Sequence, residues 1–131
     1  MLTTLPRRLR GLPTPMAGLA LGVASLGWCM ENALPLNGWG QLIGAFTASA
    51  LLLLLVLRFV LHTETLWEDL KHPVVGSIVP TFAMSLMVIS RALLHAFPTF
   101  AAGLWCVGIT LHLAALIAVS YTHLRAHETR R

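Results

Sequence analysis

The sequence predicts an all-α integral membrane protein of about four transmembrane helices, arranged as two helical hairpins. Three observations carry this. Of 131 residues, 56% are apolar and only 11% charged, whereas soluble chains carry roughly 25% charged residues. The apolar residues fall into four runs, and the third holds about 20 residues, enough to cross a bilayer core as a helix. Lysine and arginine also sort to one side: Arg7, Arg8, Arg10, Arg58, Lys71, Arg125, Arg130 and Arg131 against Arg91 alone. That bias marks the cytoplasmic side, so both termini are expected inside after four crossings. Without the last residues the balance is still five to one.

Residues 1–11 form a short basic segment. No small-x-small cleavage site or soluble mature domain follows it, so a first membrane helix is a better reading than a signal peptide. Leu12-Pro13-Thr14-Pro15 announces that helix, expected over 16–30, because proline suits a first turn whose N–H groups lack intrahelical acceptors. Gly18, Gly22, Ser25 and Cys29 fall on one arc of it. Gly18 and Gly22 form a GxxxG, which first suggests close helix packing; the functional alternative is room for a pore. Glu31, Asn32, Pro35 and Gly38 make a polar turn.

The second helix is expected over 39–60. It opens with a second GxxxG, Gly40 and Gly44, and ends in a leucine run, Leu51 to Leu57, that is apolar all round and suits lipid. Trp39 and Arg58 fit interfacial anchoring at its ends. The charged stretch to Lys71 carries Leu66, Trp67 and Leu70 at helical spacing, either a short amphipathic surface helix or a solvated linker with an aromatic anchor. A third helix is expected over 73–94, begun by His72-Pro73 and kinked at Pro80, and a fourth over 100–121.

The third helix carries the most informative pattern. Ser77, Thr81 and Ser85 are spaced i, i+4, i+8 and share a face, with Arg91 near it. Hydroxyls and a guanidinium along a membrane helix need a wet or protein-buried side. Gly18, Gly22, Ser25, Ser77, Pro80, Thr81 and Ser85 are therefore the candidate pore-lining residues. Arg91 is an anion-attracting candidate, with interfacial snorkelling weighed equally. The lone His112 of the fourth helix reads first as a buried, hydrogen-bonded histidine rather than a ligand or proton relay.

Other chemistry finds little support. The net charge of +4 sits outside the apolar runs, as topology does, and no nucleic-acid partner is expected. Cys29 and Cys106 have neither CxxC spacing nor a histidine set, so no metal or cofactor is expected. No paired acids or nucleophile with base lie at membrane depth, which argues against an enzyme.

Pro13, Pro15 and Gly18 before a Gly-rich first helix, and His72-Pro73-Val74 followed by Pro80-Thr81-Phe82, resemble the tellurite-resistance TehA, C4-dicarboxylate (malic acid) transporter and slow anion channel family over roughly 12–118. The resemblance implies ten transmembrane helices in five hairpins around a pore, often as a trimer, in a bacterial inner membrane. Odd helices would line the pore, and small anions such as malate, tellurite, sulfite, chloride or nitrate would be carried. In that family a phenylalanine on the ninth helix occludes the pore, and no residue here matches it. Domain 12–119 would then be an N-terminal fragment holding two of five hairpins. The ending from Ser120 to Arg131 resembles a translated sequencing-adapter tail, although nothing physical in it contradicts a native basic tail. The rivals are a four-helix multidrug-type exporter, which needs a carboxylate deep in the first helix where only Glu31 lies near, and a non-transporting membrane subunit.

Overall fold

The computed structural model describes residues 11–64 and 79–128. Four helices follow in order: α1 (Met16–Ala33), α2 (Trp39–Leu61), α3 (Val79–Leu93) and α4 (Pro98–Glu128). His72, Pro73, Ser77, the amphipathic stretch around Trp67 and the chain before Pro80 on which its kink depends lie outside the described residues.

The two prolines shape the start of α1. Met16 N–H donates to Pro13 O at 3.0 Å, Ala17 N–H to Thr14 O at 3.1 Å and Gly18 N–H to Pro15 O at 2.9 Å. The Pro-Thr-Pro carbonyls thus accept from the N–H groups that the first helical turn presents. At its other end α1 runs past the expected Met30. Asn32 Nδ2 donates to Trp28 O at 2.8 Å, and the helix stops at Leu34, which is extended (φ −130°, ψ 145°), as the residue before a proline prefers.

The turn into α2 is built by two residues in the left-handed region, Asn37 (φ 54°) and Gly38 (φ 92°), between Leu36 O and Trp39 N–H at 3.1 Å. Glu31 closes it. Its Oε1 accepts from Gly38 N–H at 2.6 Å and its Oε2 from Gly40 N–H at 3.0 Å. A carboxylate here both caps the free amides of α2 and meets the positive end of its dipole.

The α1–α2 hairpin packs small residue on small residue. Ala17, Ala20, Ala24 and Gly27 are buried on α1, and Gly44, Ala45, Ala48, Leu52 and Leu55 on α2. At Gly27 the backbones touch: a Cβ there would lie 2.5 Å from Gly40 O and 2.9 Å from Gly44 Cα. The Gly40–Gly44 motif is a packing motif, as its spacing suggests, and its partner is Gly27. A Cβ on Gly18 or Gly22 would meet nothing within 4 Å.

α3 is the helix that packs substantially against all three others, and α4 leans on α3. Ala83, Ser85, Ile89 and Ser90 are buried on α3. Gly108 of α4 lets α3 approach, since a Cβ there would sit 2.8 Å from Met87 Cγ and 3.2 Å from Ala83 O. α4 also continues to Glu128, beyond the expected end at Tyr121.

Two expectations are corrected. The leucine run is not apolar surface all round: Leu52 and Leu55 are buried, while Leu53, Leu54 and Leu57 are exposed. Arg58 is not an exposed anchor: it is buried, and its Nη1 donates to Thr14 Oγ1 at 2.9 Å. Two helices are long and apolar enough to cross a membrane, Trp39–Leu61 and Pro98–Tyr121, and Pro80–Leu93 is a shorter apolar helix. Large apolar side chains such as Phe46, Val60 and Ile117 are exposed.

Gly44→Val should therefore destabilise the hairpin by about 1–3 kcal/mol or more, read by denaturant titration of helicity in detergent. Gly18→Ala should leave that midpoint unchanged or slightly raised, because its site is open and alanine favours helix. Equal losses from both would refute the packing described. Glu31→Ala should cost about 1–2 kcal/mol through the lost cap, and an unchanged midpoint would dismiss the clasp.

Candidate functional site

Two grooves open around the last turns of α3. Met87 and Arg91 are the shared wall of both. One, of about 270 Å³, lies toward α1 and is lined by Ser25, Trp28, Met87, Val88 and Arg91. The other, of about 280 Å³, lies toward α4 and is lined by Met87, Ser90, Arg91, Leu94, Ala101, Ala102 and Trp105.

Arg91 is exposed in the last turn of α3, where a cation suits the negative end of the helix dipole. Its guanidinium carbon lies 5.1 Å from the centroid of the Trp28 ring, within cation–π range. No carboxylate among the described residues forms an ion pair with it. The contact of the guanidinium is thus with an aromatic ring, and among the described residues no side chain pairs with its N–H edge.

Ser25 belongs to the Gly18–Gly22–Ser25–Cys29 arc of α1, and all four residues are exposed. Because Ser25 shares a groove with Arg91, the structure brings a candidate of the first helix together with one of the third. Gly18 and Gly22 continue the same open arc by helical spacing.

Of the expected α3 stripe, Ser77 lies outside the described residues and Ser85 turns inward. Ser85 is fully buried between helices; its hydroxyl donates to Thr81 O at 2.8 Å and lies 3.3 Å from Ala17 O. It fastens α3 to α1 and faces no open volume. Thr81 and Pro80 are half-buried at the start of described α3. Ser90, which carried no expectation, is buried and donates to Met87 O at 2.7 Å. His112 is half-buried, with Nδ1 3.4 Å from Pro80 O, so its ring meets a backbone acceptor across the α3–α4 contact. Among the described residues no group of three or more histidine, cysteine or acidic side chains could hold a metal ion.

Residues 13–131 match the voltage-dependent anion channel (SLAC1) family. The chain belongs to that family. It is therefore a member of an anion-channel family of membrane proteins, and the resemblance drawn from Pro13, Pro15, Gly18, His72 and Pro73 is upheld. Comparison with curated proteins and with solved structures finds no match.

Sequence reasoning missed Trp28 and Met87. Trp28 lies one helical turn beyond Ser25, a signal that it borders the same arc, but its pairing with Arg91 spans 63 residues and has no local mark.

Ser85→Ala should lower stability by about 1 kcal/mol, the usual scale of an interhelical hydroxyl bond, and leave anion flux per folded molecule unchanged. A flux loss without a stability loss would return Ser85 to the pore wall.

Proposed function

We propose that the chain supplies one wall of an anion-conducting path, and that this wall is the open face formed by α1 and α3. The observation that carries the reading is the meeting of Ser25 and Arg91 in one groove within a member of an anion-channel family. An anion leaving water needs donors that replace part of its hydration without holding it too tightly to leave. Ser25 offers a hydroxyl, the Gly18–Gly22 arc leaves room, and Arg91 raises the local anion concentration at one mouth. Ser77, Pro80 and Thr81 are proposed to extend the wall along α3, with Ser85 behind it.

On this reading the cargo is a small anion, a C4-dicarboxylate such as malate, tellurite or an inorganic anion, moved by a channel or carrier. The setting is a bacterial inner membrane with the N-terminus in the cytoplasm. The path closes when further hairpins or further copies, a trimer on the family's pattern, supply the remaining walls. The exporter reading is disfavoured by Glu31, whose two carboxylate oxygens accept from the first amides of α2 and so serve the turn rather than a proton-coupled site.

The test is anion efflux from liposomes holding the full chain. Ser25→Leu should fill the groove and cut flux about tenfold. Arg91→Gln should cut it several-fold near 10 mM salt and much less at 1 M, since the screening length falls from about 30 Å to about 3 Å. Flux insensitive to both substitutions would overturn the reading.

A further inference from the structure

We propose that Trp28 and Arg91 together form a binding site for a planar anion that presents two oxygens on one edge, a carboxylate or nitrate. The site is the groove between α1 and α3. This deepens the functional reading above and rests on it only for the ligand being in transit.

The argument starts from how Arg91 is held. A guanidinium has a π face and an edge of N–H donors, and the two can be engaged separately. Carboxylate partners take the edge and cancel the charge. Here the partner is the Trp28 ring, 5.1 Å from the guanidinium carbon. The ring limits where the guanidinium can lie, and among the described residues no acceptor takes its donor edge. Two parallel N–H donors match two oxygens of a planar anion, a geometry that a spherical halide cannot use.

The surroundings fit the same ligand. The groove of about 270 Å³ is lined by Ser25 as well as by Met87 and Val88. A third oxygen, or the remainder of a carboxylate, meets a donor at Ser25 and apolar surface at Met87 and Val88. Trp28 is then a positioning residue that acts through Arg91, and an Arg91→Lys change keeps the charge but loses the two-pronged match.

The test follows the indole N–H resonance of Trp28 in the full chain, assigned with Trp28→Phe. Chloride is exchanged for nitrate, and separately for acetate, at constant ionic strength in maltoside micelles, which contribute no phosphate. The expected result is a saturable shift, half-complete when nitrate is about a tenth of the total anion. It should disappear in Arg91→Gln and move toward equal mixing in Arg91→Lys. In liposomes, Trp28→Leu should lower the nitrate-to-chloride permeability ratio several-fold, whereas a merely structural role would change total flux and leave the ratio alone.

A Trp28 resonance indifferent to the exchange, or one that titrates identically in Arg91→Gln, overturns the proposal. So does a resonance that moves only on transfer to phospholipid nanodiscs, because the guanidinium is then held by headgroup phosphate. A saturable nitrate shift without any flux sinks the conduction reading and leaves the site standing. Flux with an indifferent resonance does the reverse.

Discussion

Contact between the backbones of Gly27 and Gly44 sets what every other part of the molecule can do. Helices that touch through glycine lie closer than any side chain permits, and closeness along α1 and α2 brings two distant pairs together. At one end Glu31 reaches the first amides of α2; at the other Thr14 reaches Arg58. The same contact fixes the rotation of α1. With about 100° per residue, the packed face of Ala17, Ala20, Ala24 and Gly27 lies roughly 140° from the arc of Gly18, Gly22 and Ser25. Packing the first face against α2 leaves the second one open.

α3 then decides the shape of that opening. It must satisfy α1, α2 and α4 at once, and it does so with small residues: Ser85 bonded at the α1 contact and Ala83 beneath Gly108 of α4. Met87 and Arg91 are left as the ridge between two grooves. A bulkier residue at Ala83 or Ser85 would push α3 outward and close one groove while widening the other, so site geometry and helix packing are a single problem here.

The helices were legible because membrane helices must satisfy their backbone within the segment, which makes apolar length and flanking prolines direct signals. The α1–α2 contact was half legible: Gly40 and Gly44 stood out by spacing, but Gly27 has no second glycine one turn away on α1. Ser85 departs from the expected stripe for a physical reason. A serine or threonine in a helix can bond its own preceding turn, as Ser85, Thr47 and Thr110 all do. Such a residue need not face water or a ligand, and periodicity alone does not reveal which choice is made. Of the proposed pore wall, Ser25 and Arg91 were visible as residue types, whereas their meeting depends on how α1 and α3 are rotated, which packing determines.

Two arginines near helix ends show why position outweighs charge count. Arg58 follows Leu52 and Leu55 at three-residue steps, so it lies on the buried stripe of α2, where the Thr14 hydroxyl receives it. Arg91 follows Met84 and Met87 on the open side of α3, where an aromatic ring receives it. Both count equally toward net charge, yet the first is enclosed and contributes to packing, while the second presents its field to a groove. A conducting site also needs its cation held without being neutralised, because a strong ion pair would repel the ligand it should admit and a free, mobile arginine would bind it in many geometries. A cation–π contact of about 0.5–1 kcal/mol at an exposed position lies between these limits: enough to orient Arg91, too little to compete with an arriving anion.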